Sequence, residues 1–436
     1  MTRLTRDAIL STFATYGRPR SQWLVGAEFE RHLLRPDGTP LTYGEEGGIR
    51  QMIEALGERG WELHFEKENP IAARRSDGAW LTLEPGCQWE LSGAPHTTVQ
   101  AVLEEAAGFN ALTTELLAQG PHGGRQVYLG FTPFTGIGDI PWVPKGRYVQ
   151  MRDFLIKVGD LAHHMMKGTA AVQVSFDFLD EEDCANKMKL SSQLAPLTTA
   201  LLANSPYADG KPTGYMSWRG HIWTRTDPER TGIPSDRTFS YEAWIDYLLD
   251  VPMMFIKSGK NYVSGRDRSF RSWMDTGFDG VFPTWDDWDL HLTQVFPEVR
   301  VKKQIEIRGA DCAPLPLATA FCALWQGLFY CNATLRDALQ LAEDFVEHDT
   351  KEQRFEQACR HGLRGEVSGR PTLDWAKDLV ALGARALDAC APHDRPLLKP
   401  LEDLVADGRS PARVLLDTLG EQPTVEGLLN ASAHAD

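Results

Sequence analysis

Residues 169–178, TAAVQVSFDF, decide how this chain is read. Side chains on a strand alternate between faces, so Val172, Val174, Phe176 and Phe178 point one way while Thr169, Ala171, Gln173, Ser175 and Asp177 point the other. One face reads as core and the other as a surface able to line a site.

Working outward, the same period recurs in segments far apart in the chain. In WLVGAEFERHLL (residues 23–34) it puts Glu28 and Glu30 on one face, their Cα atoms roughly 6.5 to 7 Å apart. In VKKQIEIRGAD (residues 301–311) it sets Lys302, Gln304, Glu306 and Arg308 opposite Val301, Lys303, Ile305 and Ile307. In AWLTLEPGCQWELSGAP (residues 79–95) Trp80, Thr82 and Glu84 share a face, Pro85-Gly86 makes a turn, and Gln88 and Glu90 share a face on the returning strand. Such a reversal brings Glu84 and Glu90 close together. An E-x-E pair on a strand is often only a solvent-facing edge. A buried pair needs a cation nearby, since like charges on one face repel. Hard cations such as Mg²⁺ take oxygen ligands and are commonly shared between carboxylates and substrate phosphates.

The basic residues form a complementary set: Lys145, Arg147 and Arg152; Arg219, Arg225 and Arg230; Arg300, Lys302, Lys303 and Arg308. An arginine beside Trp218 and Trp223 can be held rigidly for bidentate recognition of a carboxylate or phosphate.

Around these strands the chain reads as one body of 436 residues without repeats or long linkers. Short strands, helices and turns run to residue 316, and from Leu317 the pattern is helical, as expected of a layer covering the sheet. Thr97 and Gln100 have capping-box spacing ahead of a helix ending at Gly120-Pro121. Seven scattered cysteines without a C-x-x-C pair argue against a disulfide framework and a structural zinc site. Cys87, at the tip of the turn, is a candidate reactive thiol without a basic neighbour in sequence. With 45 Lys+Arg against 60 Asp+Glu the net charge is −15, which disfavours nucleic acid and anionic membranes as partners. No signal-like or membrane-spanning apolar run is present, so the expected compartment is the cytoplasm. G-x-x-x-x-G-K-[ST], G-x-S-x-G and H-E-x-x-H are absent, and the adjacent His163 and His164 face different directions on a segment that reads as helix. Any ATP therefore binds on a sheet face through metals.

Seven segments in order, VGAEFE, LEPGCQWELSGAP, IPWVPKGRY, TAAVQVSFDF, ANSPYADGKPTGYMSWRGHIWTRTDPERTG, DVPM and HLTQVFPEVRVKKQIEIRGAD, resemble the plant and proteobacterial type of glutamate–cysteine ligase. The resemblance runs from about residue 20 to 320 and continues more weakly to the end. It implies an α+β fold related to glutamine synthetase: a curved, mainly antiparallel sheet with helices on its outer face, a catalytic core over 1–316 and a helical part over 317–436 packed on it. It implies that ATP phosphorylates the γ-carboxylate of glutamate and that the amine of cysteine displaces phosphate, the first step of glutathione or related thiol synthesis. Carried over by motif, Glu28, Glu30, Glu84, Glu90 and Glu306, with Gln173 beside them, look like the Mg²⁺-holding set. Arg219 and Trp223, with Thr169 and Arg308 adjacent, resemble the glutamate clamp. Arg300 and Lys302 look suited to nucleotide phosphates, and Glu28, Glu84 and Arg308 stand nearest the chemistry. A monomer or homodimer acting only on small molecules is expected.

The chain departs from the common pattern at Phe29, Cys87, Ala170, Ala171, Ser175, Cys312 and Ala313. These changes leave the acceptor amine and the general base open. A same-fold ligase using another amine, a guanidine-type phosphotransferase and a silent nucleotide-binding module are the alternatives. The retained carboxylates argue against the last, and the SWRGHIW and EPG motifs against the kinase.

Overall fold

The alternation over residues 169–178 is realised as a strand inside a nine-stranded sheet. The computed structural model describes residues 3–233 and 239–432. Its sheet is built from β1 (Val25–Leu34), β2 (Glu62–Glu66), β3 (Asn69–Arg74), β4 (Trp80–Leu83), β5 (Trp89–Ser92), β6 (Arg125–Val127), β7 (Ala171–Phe176), β8 (Val299–Val301) and β9 (Ile305–Asp311). The order is β8-β9-β7-β1-β5-β4-β3-β2, with β6 alongside β1, and every pairing is antiparallel. β8 and β2 are its edges, so the sheet is open.

One face carries the apolar half of the alternation. Val25, Ala27 and Phe29 of β1, Val172, Val174 and Phe176 of β7, and Ile305 and Ile307 of β9 are all at most 5% exposed. Burying side chains of this size contributes about 1.5 to 3 kcal/mol each. The helices α1 (Val99–Gln119), α4 (Glu181–Leu201) and α6 (Leu315–Tyr330) cover β1, β9 and β7 respectively. Phe329 and Tyr330 meet Phe176 edge-on, with ring centroids 5.3 and 5.4 Å away. α2 (Gly146–Leu155), α3 (Ala162–Gly168) and α5 (Trp218–Thr224) serve the site described below. The C-terminal α7 (Asn332–Phe345), α8 (Lys351–His361) and α9 (Thr372–Cys390) complete the helical layer, α9 lying against α6. One continuous set of buried side chains includes Leu4, Val25, Val174, Phe321 and Val405, so the parts before and after residue 317 share a core.

Three local expectations are corrected. The cap of α1 is Thr98, whose hydroxyl accepts from Ala101 N. No Gln100 capping box forms, because the carboxylate of Asp394, from the C-terminal part, accepts from Val99 N and Gln100 N. Cys331 and Cys390 form a disulfide, since α6 ends and α7 begins beside the end of α9 with the two Cα atoms 5.6 Å apart. Cysteine count and spacing do not report that proximity. Finally, residues 302–304 form a turn rather than strand, closed by Lys302 N donating to Gln304 O.

Candidate active site

Strand register gathers the polar half of the alternation into rows. Across one row Gln173 of β7 lies opposite Glu28 of β1, and Glu28 opposite Ser92 of β5. Across the next, Glu30 of β1 lies opposite Glu90 of β5, and Glu90 opposite Thr82 of β4. Glu30 accepts from Ala171 N (2.8 Å) and Gln173 Nε2 (2.9 Å), while Glu90 accepts from the hydroxyls of Thr82 and Ser92.

The hairpin that brings Glu84 back toward Glu90 is closed by Cys87 N donating to Glu84 O, and Cys87 sits at φ 70°, where glycine is favoured. Gly86 is required by close approach, since a Cβ there would fall 2.2 Å from Lys167 O of α3. Gln88 ties the hairpin to this helix by donating to Met166 O and Thr169 O. From α2 and the residue before it, the Tyr148 hydroxyl and Lys145 Nζ both donate to Leu83 O. Cys87 is buried, and burial pushes its thiol up to about 12, which removes it as a reactive group.

Arg219 comes from the first turn of α5. Ser217 caps that helix by accepting from Gly220 N (3.0 Å). The guanidinium is 3% exposed, and Nη2 donates to Arg308 O (2.8 Å). Its Nε and Nη1 have no hydrogen-bond partner among the described residues, nor has the neighbouring Trp223 Nε1. Buried donors without acceptors are costly, so this corner is shaped for an anion.

These groups surround a cavity of about 280 Å³. Its lining includes Glu28, Glu30, Glu84, Glu90, Gln173, Thr169, Arg219, Trp223, Arg300, Lys302 and Arg308. Burial raises Glu28, Glu30 and Glu90 above the usual carboxylate range, Glu30 to about 8, and the neighbouring glutamates add to it. Thr169 is present, but its hydroxyl donates to Met165 O and offers the cavity only acceptor capacity.

Glu306 is where expectation and structure part. It is buried and does not line the cavity; Arg300 donates to both its oxygens (Nε 2.8 Å, Nη2 3.0 Å) and Arg308 also pairs with it. Burial pushes this carboxyl up, but Arg300, Lys302 and Arg308 outweigh that and hold it well below its ordinary value. The structure therefore makes Glu306 the counter-ion of the basic residues, not a member of the row of glutamates that lines the cavity. Arg300 is held by the same pairing: its Nη1 also donates to Val295 O, so each of its three nitrogens makes one bond within the protein while the residue still lines the cavity. The physical reason is the turn at 302–304, which pairs Arg300 directly opposite Glu306. Lys302, 3.5 Å from Glu306 and about one-third exposed, keeps donors for the cavity.

The motif reading passed over the apolar wall of Met151, Met165, Phe255 and Phe296, which comes from segments without a polar stripe. Tyr148 and Arg147 of the quoted KGRY segment line the cavity too; Arg147 belongs to the basic set read from sequence, whereas Tyr148 carries no such signal.

The sheet and its acid-floored, arginine-edged cavity define an enzyme that works on small anionic substrates across an open antiparallel sheet. The sequence profile of glutamate-cysteine ligase family 2 matches residues 24–433, and the chain belongs to that family. It is 34% identical over 423 residues to the chloroplastic glutamate–cysteine ligase B of Oryza sativa subsp. japonica, covering 95% of this chain and 84% of that protein. It is 35% identical over 427 residues to the chloroplastic glutamate–cysteine ligase of Nicotiana tabacum, covering 95% and 80%. Among solved structures, the fold is similar to glutamate–cysteine ligase from Francisella tularensis in complex with AMP, with a TM-score of 0.56 at 12% identity over 94% of this chain and 87% of that one. It is similar also to a bifunctional glutathione synthetase from Pasteurella multocida, with a TM-score of 0.56 at 12% identity over 98% of this chain and 53% of that one. At such identity these two matches speak to the fold, which agrees with the antiparallel, helix-backed sheet expected from sequence.

Proposed function

We propose that this enzyme joins the γ-carboxylate of L-glutamate to the amine of L-cysteine at the expense of ATP, giving γ-glutamylcysteine. The observation that carries the reading is Arg219, a buried guanidinium with two unpartnered nitrogens at the edge of a row of glutamates. Arg219 binds the α-carboxylate of glutamate, which directs the γ-carboxylate along the sheet. There the terminal phosphoryl group of ATP passes to a γ-carboxylate oxygen and ADP leaves. The cysteine amine then attacks the acyl carbon, phosphate departs, and the amine loses a proton. Holding the reactants in this geometry can account for several kcal/mol of barrier reduction.

Among the described residues no three His, Cys, Asp or Glu side chains converge as a closed metal cage. The row of Glu28, Glu30, Glu84 and Glu90 instead fits Mg²⁺ ions shared between one or two carboxylates and substrate phosphates. When bound, Mg²⁺ screens the repulsion between phosphates and carboxylates. The raised carboxyls match this, because a cation relieves the repulsion that raises them.

The test is ADP release by the purified chain with ATP, Mg²⁺ and glutamate, offering cysteine and then a panel of other amines. Cysteine-dependent ADP with a product of the dipeptide's mass is expected. Turnover with another amine and none with cysteine would overturn the choice of acceptor.

A further inference from the structure

Arg219 poses a physical problem: a buried guanidinium needs a counter-charge, yet a carboxylate in full contact would consume the donors meant for substrate. Asp311, fully buried at the end of β9, stands 4.0 Å from Arg219 Nη1, within ion-pair range but outside hydrogen-bond reach. Three donors hold it there. Ser217 Oγ donates to Oδ1 (2.8 Å), while Ser205 Oγ (2.6 Å) and Asn204 N (2.8 Å) donate to Oδ2. Each serine is itself oriented by the segment that carries Arg219, since Ser205 Oγ accepts from Arg219 N (3.0 Å) and Ser217 Oγ from Gly220 N. Gly130 leaves room for the carboxylate, because a Cβ at that position would lie 2.6 Å from Asp311 Cγ.

We propose that Asp311 is a positioning residue, restrained by Ser205 and Ser217 so that it balances the charge of Arg219 while leaving Nε and Nη1 free for the substrate carboxylate. The inference rests on the reading of Arg219 as the glutamate clamp. Its content is a division of labour: Asp311 neutralises at a distance, and the two hydroxyls occupy its lone pairs. Removing one hydroxyl leaves the charges unchanged and two of the three donors in place, but it loosens the restraint, so that the carboxylate can lean toward Arg219 and compete with glutamate.

The experiment measures KM for glutamate, cysteine and ATP separately, together with the melting temperature, for Ser205→Ala, Ser217→Ala, Ser217→Thr and Arg219→Ala. Loss of one charge-assisted contact predicts a glutamate KM raised about tenfold in Ser205→Ala and Ser217→Ala, with the cysteine and ATP values unmoved. Ser217→Thr restores a hydroxyl and should return glutamate KM toward wild type. In an Asp311→Asn background Ser205→Ala should have no further effect, since its action runs through Asp311. Unchanged glutamate KM in both alanine variants, while Arg219→Ala raises it, would overturn this inference alone. A parallel rise of all three KM values with a lowered melting temperature would also overturn it, by showing a merely structural role. An unchanged glutamate KM in Arg219→Ala would instead remove the clamp and this inference together.

Discussion

Glu30 and Glu90 face each other across β1 and β5, and opposed like charges weaken a sheet. Their raised carboxyls, with Glu28, mean that the folded protein holds protons that the unfolded chain has released. Their contribution to stability is therefore complete below the ordinary carboxylate range and is lost as pH rises toward about 8, the value for Glu30. Glu30→Gln should melt higher than wild type at pH 8 in the metal-free protein, the gap closing by about pH 5. Thermal melts at both pH values check this, and an equal gap at both would contradict it. The same variant should lose at least about 100-fold in turnover, because removing one electrostatic contact to developing charge costs on that order. Glu306→Gln should fail differently, by loosening Arg300 and Arg308, with a raised ATP KM and a lowered melting temperature. Residue identity alone separated these glutamates poorly. Glu28, Glu30, Glu90 and Gln173 were legible because alternation is local, whereas the pairing of Glu306 with Arg300 depends on where the intervening turn falls.

At the scale of elements, the EPG hairpin shows why a motif and its support are read differently. The turn was evident from Pro85-Gly86, but its fixing by α2 and α3 involves Leu83 O, Lys167 O and Thr169 O, backbone atoms that carry no sequence signature. Gly86→Ala should displace the hairpin and cost about 1 to 3 kcal/mol, as overpacked sites do. Denaturant unfolding measures that cost, and activity should fall with it because Glu84 and Glu90 move. The disulfide was similarly illegible. Chain entropy for a bridge spanning 59 residues gives roughly 4 kcal/mol of stabilisation, an upper figure. Cys331→Ser/Cys390→Ser should accordingly unfold earlier while retaining the KM values of the parent, since the bridge lies in the helical layer away from the cavity.

For the whole molecule, the continuous core joining the sheet to the C-terminal helices predicts one unfolding transition rather than two. Calorimetry decides this, and two resolved transitions would mean that the parts before and after residue 317 unfold separately. The strand order has a further consequence in time. The central β1 has β7 on one flank and β5 on the other, and β9, bearing Arg308, reaches the site only by pairing with β7. Glu28 and Arg308, in one cavity, are thus 280 residues apart in the chain. Contacts so distant form late, after the loops between them have closed. On a ribosome making the protein from its N-terminus, the glutamates of the site are synthesised long before Lys302 and Arg308, which complete the basic set begun by Arg147 and Arg219. A chain interrupted before residue 300 holds the glutamates without Arg300, Lys302 and Arg308, so assembly of the cavity marks the completion of folding and not its beginning.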